Sequence, residues 1–521
     1  MPPLMTAFPW ITVLTLLPLL GGTLILFLPD SQKRLARRLG IGFAFGSLAI
    51  VLALWAGFDP STGALQFEES HNWIPTLAVR YHLGMDGLSL LMTLLSALVV
   101  PMALLASWNI QERVPIYFGL VLLLEAGLFG TFTALNFVHW FLFWELSLIP
   151  AFFLIKLWGG PMRSAAATQF FVYTMVGSVA LLLSFLAIFL VTNRFDFIEL
   201  ADLGRNGTLV SALSNLGWRD LTSKWFATII FAGAFLGFAV KVPLVPFHTW
   251  LPTAYAEAPT GTTMLLTGLM SKMGVYGFLR ILIPIFPEQM RWMLTPLLWL
   301  AAISIVFSAG AAFAQRDLKR TLAYSSINHL GYCLLGVFAV TNSGLALSSP
   351  AIEKTAALNG VLLQMFNHGL TAAALFWFVG LLEQRASGLR GLEDFGGLRK
   401  VAPIFCGLMG IALFSSLGLP GLNGFVGEFL IFKGAFPLAS GVTAVAVIGL
   451  LITAIFILTI LQRVFNGPLN ARWAGFPDLS LQERALVAPA IALMFILGVY
   501  PQLLLGFINS TVVEMVKHLR F

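Results

Sequence analysis

Charge is what this chain has least of. Asp, Glu, Lys and Arg make up 10% of its 521 residues, against 58% hydrophobic residues. Mean hydropathy is +0.90. A soluble domain carries about 25% charged residues, so a soluble globular fold is excluded. Cysteine is nearly absent. Cys333 and Cys406 lie in apolar stretches without partner spacing, which argues against disulfides, zinc and iron–sulfur ligation. The longest hydrophilic gap, 193–224, is a loop with little room for a domain. No nucleophile–base pair, phosphate loop or dinucleotide fingerprint occurs. Gly418–Gly424 is glycine-rich but interrupts an apolar helix instead of following a strand. Chemistry on a bound substrate is therefore not expected. The formal charge of +7 is spread through short loops, not gathered in a patch, so nucleic acid is not an expected partner.

What is there is apolar sequence from end to end. A membrane-spanning helix needs about 20 apolar residues, and the pattern gives 14 candidates. Their cores are 8–28, 40–57, 85–106, 114–133, 136–158, 165–192, 225–250, 262–283, 292–313, 320–341, 356–382, 402–433, 439–465 and 485–508. The expected fold is an all-α polytopic membrane protein. Residues 1–521 form one membrane domain in the lipid bilayer, with no soluble domain. The first stretch lacks a basic leader and a small-residue cleavage site, and reads as a retained helix. With the N-terminus outside, inner loops hold 17 of the 30 lysines and arginines and outer loops 9. That bias puts both termini on the outer side.

Two candidates carry breakers at mid-length. The seventh reads Lys241-Val-Pro243-Leu-Val-Pro246, and the twelfth Leu417-Gly-Leu-Pro420-Gly-Leu-Asn423-Gly. Proline removes a backbone donor and clashes with the preceding turn. Broken backbone at membrane depth needs protein or water to satisfy it. Breaks five helices apart predict two inverted five-helix repeats, helices 4–8 (114–283) and 9–13 (292–465). Helices 1–3 (1–110) precede them, and helix 14 (485–521) follows.

A charge at the bilayer centre costs about 2.5–3.5 kcal/mol on insertion scales. Even so, Glu145, Lys241, Lys272, His329, His368 and Glu428 fall on candidates 5, 7, 8, 10, 11 and 12. Glu125 on candidate 4 and His248, two turns after Lys241, are further candidates. Each alone has a bland reading as an ion pair or a core histidine. Six separate static anchors would be a costly way to pack a bundle, so the set reads as a proton path. Asp86 reads first as a helix N-cap, while Arg280 and Lys433 near helix ends read as snorkelling side chains.

At these residues the chain resembles the antiporter-like subunits of complex I. The resemblance is carried by Phe238-Ala-Val-Lys241-Val-Pro-Leu-Val-Pro-Phe-His248, Ala254-Tyr-Ala-Glu257-Ala-Pro and Lys272-Met-Gly-Val-Tyr-Gly. Tyr324-Ser-Ser-Ile-Asn-His329, Asn367-His368-Gly-Leu and Asn423-Gly-Phe-Val-Gly-Glu428 extend it. It implies 14 helices, two inverted repeats and one proton channel. In that channel Glu145 and Lys241 gate loading, Lys272 is the central relay, His329 and His368 pass the proton on, and Glu428 is the terminal carrier. An acid at 428 and a chain that stops soon after the last helix resemble the M-type, or chain 4, subunit. Phe8-Pro-Trp10 and Phe27-Leu-Pro-Asp30 resemble the cyanobacterial and chloroplast version of the thylakoid, with a bacterial inner membrane as the alternative. The resemblance implies no cofactor or redox centre in this chain. Quinone or plastoquinone and iron–sulfur clusters belong to partner subunits, and neighbouring antiporter-like paralogues complete the membrane arm. A subunit of a multi-subunit Na+/H+ antiporter shares the scaffold and is the first rival. A membrane anchor that transports nothing and a hydrogenase-linked relative are the others.

Overall fold

In hydrocarbon a chain must satisfy its own backbone, and apolar runs free of breakers do so as helices. The structure, a computed structural model, describes residues 8–213, 223–343 and 350–519. In chain order, α1 (Trp10–Leu26), α2 (Lys33–Gly57), α3 (Gly87–Ala106), α4 (Val114–Thr133), α5 (Phe137–Trp158) and α6 (Arg163–Thr192) come first. Short α7 (Phe197–Arg205) and α8 (Thr208–Leu213) lie in the long loop. The seventh candidate is split into α9 (Ser223–Lys241) and α10 (Trp250–Glu257). Then follow α11 (Thr260–Ile285), α12 (Pro287–Trp292), α13 (Leu294–Ala314), α14 (Leu318–Ala339) and α15 (Pro350–Arg385). The twelfth candidate is split into α16 (Pro403–Leu417) and α17 (Asn423–Leu438), before α18 (Ser440–Phe465) and α19 (Leu481–Val499).

Among the described residues, 11 helices are long and apolar enough to cross a membrane. The expected count of 14 is not reached by that measure, for three physical reasons. The first is that α1 has only 17 residues. The second is that α14 carries Lys319, Arg320, Asn328 and His329 in its 22 residues. The third is the break at 418–422, which leaves halves of 15 and 16 residues.

Three features depart from the sequence reading. The expected last helix, 485–508, ends at Val499, because Pro501 interrupts it, and α20 (Gln502–His518) begins after the break. Residues 66–85 form an antiparallel hairpin of β1 (Gln66–Ile74) and β2 (Val79–Met85). Arg280, expected to snorkel, is instead half-buried and paired with Asp86 at 2.5 Å.

The hairpin is tied down by His82. Its Nδ1 lies 2.5 Å from Asp196 and its Nε2 2.9 Å from Glu68. Asp196 in turn caps α7, accepting from the Ile198 and Glu199 amides. On the opposite, basic side Arg390 gathers Asp317, Glu383 and Glu257 at 2.5, 2.9 and 3.7 Å, and Lys319 meets Glu383 at 2.6 Å. That clasp joins the ends of α10, α14 and α15 across the two halves of the chain.

Burial works against a charged His82, but the hydrogen bond and charge of Asp196, then those of Glu68, outweigh it and raise the imidazole pKa above its usual value. The stabilisation is therefore complete below the ordinary histidine value of about 6.5 and is lost as pH rises through the raised one. Hydrogen exchange across β1, β2 and α7 should lose protection over that window. His82→Gln should be poorly protected throughout and show no such step. The same pH profile in both proteins would refute a structural imidazolium.

Candidate functional site: a buried row of lysine, histidine and glutamate

The breaks shape the site. Past Lys241 the chain unwinds until Trp250, and the freed Val240 carbonyl accepts from the Trp250 indole at 3.0 Å. Gly274 of α11 lies against this turn, where a Cβ would come 2.8 Å from the Val242 amide and 2.9 Å from the Phe238 carbonyl. Only glycine lets α11 approach the break so closely. A second close approach sets α11 against α15: a Cβ at Gly369 would lie 2.7 Å from the Gly268 carbonyl. The second contact brings Lys272 and His368 together.

Lys272 is fully buried. The segment holding it, Ser271–Gly277, is bracketed by π-helical turns at Leu266–Met270 and Phe278–Leu282. Such turns occur often at functional sites. The ammonium lies 2.5 Å from the Thr267 carbonyl, 3.4 Å from Ser271 Oγ and 2.8 Å from His368 Nδ1. An ammonium has three protons to donate, and here it has three acceptors. The rings of His368 and His329 then stack with centroids 5.1 Å apart. His329 Nε2 is 3.4 Å from Glu428 Oε1 and 2.9 Å from the Ser416 carbonyl, just before the second break. His329 Nδ1 lies 2.7 Å from the Ser325 carbonyl. A ring facing two acceptor-only oxygens donates to both only when doubly protonated, which suits an imidazolium beside a carboxylate. Glu428 also accepts from Gln364 Nε2 at 3.2 Å.

Four of the expected site residues thus form one row, in the order Lys272, His368, His329, Glu428. The sequence order of helices placed His329 before His368. In space the two exchange places: His368 on α15 is the one that meets Lys272, and His329 on α14 is the one that meets Glu428. Glu145 and Lys241 are not joined: among the described residues no ion pair of 4.0 Å or less links them. The Lys241 ammonium instead sits 4.8 Å from the Trp144 ring centroid, and Glu145 Oε1 is buried without a protein partner. Glu125 is fully buried, with neither oxygen hydrogen-bonded by protein. His248 lies in the unwound stretch with Nδ1 unpartnered, 5.4 Å from Phe307.

Sequence reasoning missed Gln364 and the carbonyls of Thr267 and Ser416. A signal for the first was present: a glutamine four residues before His368 shares its helical face. Nothing in the residue types marks a carbonyl.

Residues 134–453 match the family model described as NADH:quinone oxidoreductase/Mrp antiporter, transmembrane. NADH-quinone oxidoreductase subunit M of Rhodobacter capsulatus is 34% identical over 98% of this chain and 96% of its own length. An NAD(P)H-quinone oxidoreductase chain 4 of Synechococcus elongatus is 36% identical over 95% of this chain and 89% of its own. A chain of respiratory complex I from Thermus thermophilus superposes with a TM-score of 0.82 at 30% identity, over 98% of this chain and 99% of that one. The chain therefore belongs to the NADH:quinone oxidoreductase/Mrp antiporter family, as an antiporter-like membrane-arm subunit of complex I of the subunit M, or chain 4, type.

Proposed function

We propose that this subunit takes up protons from the inner side and passes them along Lys272, His368, His329 and Glu428 for release outside. Electron transfer to quinone or plastoquinone in partner subunits drives the flow, and neighbouring antiporter-like paralogues flank the chain. The observation that carries this reading is the close succession of four titratable side chains through the interior, each buried. Static packing gives no reason to line up a lysine, two histidines and an acid, when each charged group costs about 2.5–3.5 kcal/mol at this depth.

Glu145 and Lys241 form the loading end. With the ammonium resting on Trp144 and Glu145 apart from it, the pair is open. Closing it would hold the proton on Lys241, and opening it would free the proton to move toward Lys272. Glu125 and His248 are auxiliary proton sites near that end, one without a protein partner and the other in the unwound backbone of the break. The two halves, 114–283 and 292–465, are inverted copies, so the breaks before α10 and before α17 play matching roles.

The finer placement is a cyanobacterial or chloroplast complex of the thylakoid, supported by Phe8-Pro-Trp10, Phe27-Leu-Pro-Asp30 and the Synechococcus relative. The likeness to the Rhodobacter subunit is nearly as great, which makes a bacterial inner membrane the alternative. Sodium–proton exchange is the second functional reading, since the family model spans both classes. Sodium is a hard cation that takes oxygen ligands, whereas the row offers mainly nitrogen. Proton transport in vesicles should therefore be unchanged when sodium is replaced by choline.

Lys241→Ala should lower coupled proton transport by about tenfold or more while the complex still assembles. Lys241→Arg should fail too, because guanidinium holds its proton at any relevant pH. Near-normal pumping with Arg would show that Lys241 does not cycle its proton. Glu145→Gln should impair pumping severely and Glu145→Asp mildly. Equal damage from the two, in complexes shown intact by native gel, would assign Glu145 to packing.

A further inference from the structure

We propose that Gln364 is a positioning residue that serves Glu428 in both of its protonation states. Its amide donates to the carboxylate and, turned over, accepts from the carboxylic acid. This rests on the reading that Glu428 takes a proton from His329, and it adds what keeps that proton on the acid.

The place is set by α15 and α17, which glycines allow to lie backbone to backbone. A Cβ at Gly434 would come 2.5 Å from the Ala357 amide nitrogen, and one at Gly360 2.9 Å from the Gly427 carbonyl. One at Gly427 would come 3.0 Å from the Gln364 amide nitrogen. The backbone of Gln364 is thereby held against α17, one turn before His368 on the same face of α15. Its side chain is buried, and Nε2 donates to Glu428 Oε1 at 3.2 Å. The other end of the amide has no such partner. Among the described residues nothing donates to Gln364 Oε1, although it is buried. It faces the backbone at Gly427, where a Cβ would come within 2.6 Å of it. A buried acceptor left unpaired is costly, and a glutamine that keeps one asks for a reason.

Glu428 supplies the reason. A carboxylate only accepts, so the amide nitrogen suits it, whereas a carboxylic acid also donates and its O–H needs an acceptor. Two acceptors serve an O–H at this position. One is His329 Nε2, 3.4 Å from Glu428 Oε1 and the group the proton came from. An O–H turned that way returns the proton along the row. The other is Gln364 Oε1, once the amide turns over. The terminal torsion of glutamine is broad and roughly two-fold, so oxygen and nitrogen exchange places while the rest of the side chain stays. Glycine at 427 leaves room for either end. The acid then donates to the amide oxygen, and its proton points away from His329. When Glu428 loses that proton, the amide turns back and its nitrogen donates again.

The alternative is a static brace, in which the amide donates throughout and never turns. The test is infrared difference spectroscopy on the whole complex during turnover, with carbon-13 at the side-chain carbonyl of glutamine. The turning amide predicts that the Glu428 acid band appears together with a change in a glutamine amide band. Gln364→Met should remove that amide change and shift the acid band, whose O–H has lost its acceptor. It should also lower coupled proton transport by roughly two- to tenfold, the worth of one hydrogen bond. Gln364→Leu makes the same assignment where the methionine variant does not assemble. A Glu428 band that comes and goes with every glutamine amide silent would overturn the turning amide and leave the relay standing. No Glu428 band at all would overturn the relay, and this role of Gln364 with it.

Discussion

Everything in this subunit depends on one constraint: a polar group at the depth of the hydrocarbon must find its partner in protein, because lipid supplies none. The two helix breaks look like violations of that rule and are its clearest expression. At the first, the carbonyl freed at Val240 is taken by the Trp250 indole, and Lys241 ends the helix with its ammonium over Trp144. At the second, the Ser416 carbonyl becomes an acceptor for His329. In each half a proline costs the chain backbone hydrogen bonds, and a side chain takes up an exposed carbonyl, Trp250 in the first half and His329 in the second.

The row itself is uneven, and the unevenness is informative. From Lys272 to Glu428 the groups touch or stack, with Gln364 steadying the far acid. Between Glu145 and Lys241 there is a gap. If the row is the proposed relay, a continuous row from end to end would leak protons down any gradient across the membrane, whereas one with open junctions conducts only when they move. The π turns around Lys272 and the glycine contacts at Gly274 and Gly369 set α11 close against both the first break and α15. A displacement of that helix alters several links at once.

Much of this was legible in the sequence, and the rest was hidden for physical reasons. Hydropathy located the apolar runs, because a lipid-facing helix is apolar by necessity. Proline located the breaks, because its lost donor acts locally. The hairpin was missed because Gln66-Phe-Glu-Glu-Ser-His-Asn-Trp mixes charge and aromatics without clean alternation, and its partner is a few residues away across a turn. The candidate site residues stand out by the cost of burying charge, which needs no neighbour to be recognised. Their order was not: that His368 precedes His329 depends on which helices pack together, and one-dimensional periodicity does not encode it. Arg280 was misread for the same reason, since its partner Asp86 lies 194 residues away.

The central claim is that the Lys272–Glu428 row changes protonation during turnover. Infrared difference spectroscopy on the working complex, with glutamate isotopically labelled, reads Glu428 directly. The relay predicts a protonated-carboxyl band that rises and falls with quinone reduction, shifts in heavy water and vanishes in Glu428→Gln. A spectrum with no carboxyl change during turnover, or one that Glu428→Gln leaves intact, would contradict it.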